Sequence, residues 1–158
     1  MSGPDIQLIT PETPEDWQET RLILRDYANS LNFDLCFQGF EQELSALPGA
    51  YAPPRGRLLL ARDGETLAGC GALRPLSQEI CEMKRLYVRD AFRGRGAGKL
   101  LAETLIAEAR SIGYTAMRLD TLPSMTAAIP LYRSLGFSEI SPYTTNPVPG
   151  ALFMEKRL

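Results

Sequence analysis

Residues 81–105, CEMKRLYVRDAFRGRGAGKLLAETL, constrain the fold more than any other stretch. An apolar strand pattern ends at Val88. A basic, glycine-rich turn follows over Arg93, Gly94, Arg95, Gly96, Ala97 and Gly98, and an amphipathic helix begins at once. Leu101, Leu105, Ala109 and Ile112 recur on one face of that helix, and Gly113 is a good residue to end it. A strand feeding a glycine turn that opens a helix is a place to hold a phosphate. Helix N-termini present unpaired N–H groups and the positive end of the macrodipole. Glycines let an anion approach the backbone without a Cβ in the way. Two arginines in the same turn add fixed positive charge. Cations are disfavoured at a helix N-terminus, and a bound anion would offset their repulsion.

The rest of the chain reads as alternating elements. Residues 6–10 form a short strand. Thr13-Pro14-Glu15-Asp16 starts a helix that runs to about Asn29. A short helix is expected from about Gly39 to Leu47. Strands follow over 57–62, 66–74 and 80–88, the first two joined by an Asp63-Gly64 hairpin turn. After the long helix come a strand over 116–120, a helix over 125–135 and strands over 138–140 and 151–157. A meander implies antiparallel pairing, and strand–helix–strand implies a parallel crossover. The expected fold is α/β (α+β): one mixed sheet of about seven strands with helices on both faces.

Composition narrows the function. At 158 residues the chain has the length of one domain, so 1–158 is read as a single unit. A net charge of −2 argues against a nucleic-acid partner, which would select a basic excess. No apolar run reaches the roughly 20 residues of a membrane span. The N-terminus lacks a basic segment followed by an apolar one, so no membrane association and a cytoplasmic location are expected. Cys36, Cys70 and Cys81 make no CxxC pair, so neither a disulfide framework nor zinc is suggested. The chain has no histidine, which excludes Ser-His-Asp and Cys-His catalysis and histidine-ligated metals. No metal is expected. Any general base must be a carboxylate, a lysine, a tyrosine or water.

Two common phosphate motifs fail on spacing. A Walker loop needs GxxxxGK[ST]. Here Arg93 stands at the first glycine, and Leu100 follows Lys99 where Ser or Thr is required. A dinucleotide fingerprint needs GxGxxG after the first strand of a βαβ unit. Here the run is Gly94-x-Gly96-x-Gly98, and it follows a meander. The run Arg93-x-x-Gly96-x-Gly98 instead resembles the R/Q-x-x-G-x-G/A signature of the GNAT superfamily of acyl-CoA-dependent N-acyltransferases. Leu86-Tyr87-Val88 looks like that family's strand end. Leu131-Tyr132-Arg133-Ser134-Leu135-Gly136-Phe137 is similar to its LYxxLGF motif. The resemblance covers residues 57–158 well, whereas residues 1–56 match in element order only.

The resemblance implies acetyl-CoA as cosubstrate and a set of site residues. Backbone amides over Arg93, Gly94, Arg95, Gly96, Ala97 and Gly98 would hold its pyrophosphate, with Lys99 nearby. Leu86, Tyr87 and Val88 would pair with the pantetheine amides like an added strand. Tyr132 matches the tyrosine that protonates the departing thiolate; its plainer reading is a half-buried core tyrosine. Glu82 lies where many members place a general-base glutamate; its plainer reading is a solvated strand carboxylate. A carboxylate titrates near 4, so it needs a raised pKa or a water relay to deprotonate an amine. A backbone N–H at Val88 would meet the oxyanion. Members often carry asparagine seven residues before the motif tyrosine. Met125 stands there, and Ser124 or Thr126 is the substitute donor.

Acceptor residues are the least legible. The resemblance puts the acceptor pocket within residues 30–56 and 141–150. Phe33, Phe37, Tyr143 and Asn146 are candidate wall residues, and Arg74 is a candidate carboxylate ligand or a solvated arginine. The expected activity is direct acetyl transfer to the primary amine of a small molecule or amino-acid-like acceptor. The alternatives are a non-catalytic acyl-CoA-binding or sensing module and a protein-lysine acetyltransferase. Acyl-chain preference and oligomeric state stay open, with a homodimer among the options.

Overall fold

The computed structural model describes residues 6–31 and 39–158. Candidate residues Phe33 and Phe37, and Cys36, lie outside the described residues. The elements are β1 (Ile6–Ile9), α1 (Pro14–Ser30), α2 (Phe40–Ser45), β2 (Arg57–Asp63), β3 (Thr66–Pro75), β4 (Ile80–Val88), α3 (Ala97–Ile112), β5 (Ala116–Thr121), α4 (Ala128–Ser134), β6 (Ser138–Ile140) and β7 (Leu152–Arg157). The strands form one seven-stranded sheet in the order β1-β2-β3-β4-β5-β7-β6. Every neighbouring pair is antiparallel except β4–β5, which α3 connects as a parallel crossover.

Both faces of the sheet are covered, which is why β2 reads as an unbroken apolar run rather than an alternation. Leu59 and Ala61 face one core, built with Leu101, Leu105 and Ala109 of α3, Tyr132 of α4, and Met117 and Met154. Leu58 and Leu60 face the other, built with Ile23 and Leu24 of α1 and Phe40 and Leu44 of α2. The start of α1 carries the expected signals: the Thr13 side chain accepts from Asp16 N–H, and the Asp16 carboxylate accepts from Thr13 N–H.

One helix starts later than its sequence pattern. The pattern allows 125–135, but α4 begins at Ala128. Pro130 has no N–H to give to a helical bond, so it fits the first turn and not the interior.

The sheet comes apart in the middle. β4 and β5 pair only through Ile80↔Ala116, Cys81↔Met117 and Glu82↔Arg118. Beyond Glu82 the two strands diverge. On its other edge β4 carries a bulge: Lys84 pairs with Ala72, but Tyr87 pairs with Cys70, so one extra residue is inserted. Arg85 takes up the irregularity at φ +60°. A bulge bends the strand that carries it, here beside the opening. The left-handed conformation is disfavoured for arginine, and tertiary contacts hold it. The Arg85 guanidinium donates to both Glu43 oxygens of α2, at 3.0 and 2.9 Å. Gly69 of β3 sits against the same strand; a Cβ there would lie 2.5 Å from the Tyr87 carbonyl oxygen.

Candidate active site

The divergence of β4 and β5 opens onto a groove of about 470 Å³. Leu86, Tyr87 and Val88 line one side, Ser124, Met125 and Thr126 the other, and the glycine turn closes the end. Arg89 N–H donates to Ala68 O of β3 at 2.8 Å. Backbone polarity alternates along a strand, so the Val88 N–H faces the opening. At the turn, Gly94 and Gly96 lie at φ +81° and +80°, a region that glycine enters without strain. Leu100 N–H makes the first helical bond, to Gly96 O at 2.9 Å. The amides of Ala97, Gly98 and Lys99 therefore have no partner within the helix. No side chain caps that end, and no acid lies in the first turn of α3. A pyrophosphate fits this end and an amide-bearing chain fits the strand edge, so the groove suits coenzyme A.

The two arginines of the turn behave differently from each other. Arg93 lines the groove and also lies 3.1 Å from Asp90. Arg95 pairs with Asp63 at 2.9 Å, on the β2–β3 hairpin, and does not line the groove. Carboxylates of the chain itself thus relieve the crowding that seemed from sequence to need a bound anion. Lys99 is exposed and is not part of the lining either.

Deeper in the split lies a smaller cavity of about 40 Å³. Lys84 and Leu86 of β4, Asp120 of β5, Tyr132 of α4 and Asn146 line it, and Tyr27, Leu86 and Met125 belong to both spaces. Tyr132 is 7% exposed and packs edge-on against Phe137, with ring centres 5.9 Å apart. Burial pushes its phenol above the ordinary value near 10, so it keeps its proton at neutral pH. Met125 accepts a long contact from the Thr121 hydroxyl at 3.5 Å.

Glu82 is not solvated. It is 1% exposed. Its Oε1 accepts from Nε and lies 2.9 Å from Nη2 of Arg74, and its Oε2 accepts from the Tyr143 hydroxyl at 2.6 Å. Arg74 is accordingly an ion-pair partner and not a solvated arginine. Burial and the Glu82 charge hold the Tyr143 phenol protonated, so it is the donor. Glu82 does not line the small cavity. Loop 141–150 is fastened twice, at Tyr143 and at Asn146, whose amide donates to Asp120 Oδ2 at 3.0 Å.

The Lys84–Asp120 ion pair of this cavity has no place among the sequence candidates. Lys84 is 7% exposed, and its Nζ lies 3.7 Å from Asp120 Oδ1. Burial depresses its pKa, and Glu82 and Asp120 oppose that shift. The signal was present: Glu82 and Lys84 are charges two apart on β4, and Asp120 lies near the C-terminal end of β5, where α/β sheets bind ligands.

A model of the acetyltransferase (GNAT) family matches residues 7–137. The chain belongs to the GNAT family. It is 37% identical over 156 residues to an uncharacterized N-acetyltransferase of Schizosaccharomyces pombe, covering 98% of this chain and 96% of that one. A second uncharacterized N-acetyltransferase, of Dictyostelium discoideum, is 32% identical and covers 86% and 91%. The PaiA N-acetyltransferase of Thermoplasma acidophilum, solved with coenzyme A, shares the GNAT fold with a TM-score of 0.74 at 17% identity, covering 98% of this chain and 99% of that one. This GNAT protein is therefore an acyltransferase enzyme, and the family uses acetyl-CoA. Among the described residues no helix is long and apolar enough to cross a membrane.

Proposed function

We propose that the protein moves an acetyl group from acetyl-CoA directly to the primary amine of a small-molecule or amino-acid-like acceptor. The observation that carries this reading is continuity. The groove runs from a bare helix N-terminus along an unpaired strand edge, and through Tyr27, Leu86 and Met125 it adjoins the small cavity that holds the buried Tyr132. The amides of Ala97, Gly98 and Lys99, with Gly94 and Gly96, receive the pyrophosphate, and Arg93 adds charge at the mouth. The backbone of Leu86 to Val88 receives the pantetheine amides, with Ser124 across the groove. Acetyl-CoA, when bound, supplies an acetyl group on a sulfur leaving group. The Tyr132 hydroxyl holds the proton for that sulfur, and the Val88 N–H stabilises negative charge on the carbonyl oxygen. Glu82 has both oxygens engaged, so in this reading it positions Arg74 and Tyr143 on the acceptor side. In this reading transfer is direct, because the chain has no histidine to activate a thiol and, among the described cysteines, neither Cys70 nor Cys81 lines either space. A protein-lysine acceptor calls for an acidic pocket, whereas here Asp120 faces Lys84.

Tyr132→Phe tests the reading. Turnover, followed as free-thiol release, should fall by roughly 10²–10³, the size of a lost general acid. The rise in Tm on adding acetyl-CoA should be unchanged. Unaltered turnover would refute the assignment.

A further inference from the structure

We infer that Tyr27, Leu86 and Met125 set the length of the acyl group that the enzyme transfers, and that the wall they form holds it to acetyl. This rests on the acyl-CoA reading proposed above. Among the described residues, these three alone line both the groove and the small cavity. They form the partition between the strand edge that receives pantetheine and the chamber that holds Tyr132. An acyl group that reaches Tyr132 from the groove therefore lies against them. All three are bulky, and each is anchored. The Tyr27 ring stands edge-on to Tyr87 of β4, with centres 5.8 Å apart, and the Arg85 guanidinium lies 5.9 Å from its centre. Leu86 packs against the apolar core that includes Leu101 and Leu105 of α3. Met125 Sδ accepts the Thr121 hydroxyl at 3.5 Å, and Met125 N–H donates to Leu122 O at 2.9 Å. Met125 stands where the family often carries asparagine, and there it supplies bulk in place of a hydrogen bond.

Volume and polarity both limit what passes the partition. The small cavity is about 40 Å³, and a water-sized group takes about 10–15 Å³ of such space, so it has room for about three groups. An acetyl oxygen, an acetyl methyl and an attacking nitrogen fill it. Lys84, Arg85, Asp120, Thr121 and Asn146 make up most of the wall beyond the partition, and all are polar or charged. They suit a carbonyl and an amine. A methylene pressed among them takes hydration from those groups and gives no hydrogen bond in return. A longer acyl chain must therefore displace the partition itself, and overpacking is destabilising. Of the three members Met125 has the most internal freedom, being unbranched with three rotatable bonds. Its truncation is the change that makes room.

The test compares acetyl-, propionyl- and butyryl-CoA in free-thiol release, with the full chain and a panel of primary amines made up of free amino acids, polyamines and arylalkylamines. Each added methylene should lower kcat/KM by roughly tenfold or more, the discrimination of a tight pocket. Met125→Ala should bring the propionyl-to-acetyl ratio towards one, and Met125→Leu, which keeps the bulk, should keep the wild-type ratio. A merely structural role for Met125 would lower all the donors together and leave their ratios unchanged. Acetyl-CoA should still raise the Tm of both variants, which shows that they fold. A crystal structure with acetyl-CoA gives a readout apart from turnover: the acyl methyl should touch Tyr27, Leu86 and Met125. The inference is overturned if the wild type transfers the longer groups as well as acetyl, if Met125→Ala leaves the ratios unchanged, or if the methyl lies away from those side chains. The proposed activity fails separately, through an unaltered Tyr132→Phe variant.

Discussion

Replacing Glu82 by glutamine separates a base from a brace. The carboxylate accepts two Arg74 nitrogens and one Tyr143 hydroxyl, all within 2.9 Å, and its side chain is 2% exposed. Glutamine keeps the shape and one acceptor oxygen, but it loses the charge and presents N–H groups to one of the two partners. Hydrogen bonds to charged groups are worth about 1 kcal/mol more than neutral ones, so three bonds set an upper figure of about 3 kcal/mol. Arg74 is 37% exposed and can take up water when its partner is neutralised, which lowers the expectation to about 2 kcal/mol. For a chain of this size that is a fall in Tm of roughly 4–8 °C. Thermal unfolding read by circular dichroism measures it, and steady-state kinetics at saturating acetyl-CoA accompany it. A brace predicts the Tm loss with kcat reduced by less than about tenfold, because neither carboxylate oxygen reaches the small cavity. An unshifted Tm together with a kcat loss of about 10² or more would refute this reasoning and make Glu82 the proton acceptor.

Three further outcomes follow from groups away from the site. Thr13→Ala removes the helix cap and should lower stability by about 1 kcal/mol in urea unfolding. The Asp16 carboxylate accepts from the N–H groups of Glu12 and Thr13, which holds its pKa below the ordinary 3.8. Its contribution is therefore complete above that value and is lost as the pH falls through the depressed one, so the Tm gap between wild type and Asp16→Asn should close below about pH 4. Burial pushes the Cys70 and Cys81 thiols up to about 12. Neither should react with iodoacetamide at about pH 8 in the native state, and both should react in denaturant, as read by peptide mapping.

The parts legible in the sequence are those whose cause is local. The glycine turn, the capped start of α1 and the Asp63-Gly64 hairpin each follow from a few adjacent residues. The seven-strand mixed sheet was legible because turn residues punctuate the apolar runs. The acceptor side was not, because its contacts join distant residues: Glu82 to Tyr143, and Asp120 to both Lys84 and Asn146. Those pairings depend on where β4 stops running beside β5, and the bulge that follows that point is announced by no local pattern. Arg85 is the clearest instance. As an arginine between Lys84 and Leu86 it reads as an ordinary strand residue, yet its left-handed backbone depends on Glu43 of α2. The start of α4 differs for a local reason: the missing N–H of Pro130 confines that residue to the first turn, so the helix begins at Ala128.

Only three residue pairs of backbone join β4 to β5. Beyond those pairs the two halves of the sheet are held by side-chain packing in one apolar core that includes Met117, Leu119 and Met154 with Leu101 and Leu105. The gape of the active site is then a packing quantity. A hydrogen-bond ladder fixes spacing whatever the side chains, but an apolar layer transmits the loss of a few methyl groups as a change in angle. Apolar positions well away from any ligand are in that sense part of the ruler that sets the distance between Tyr132 and the strand edge it faces.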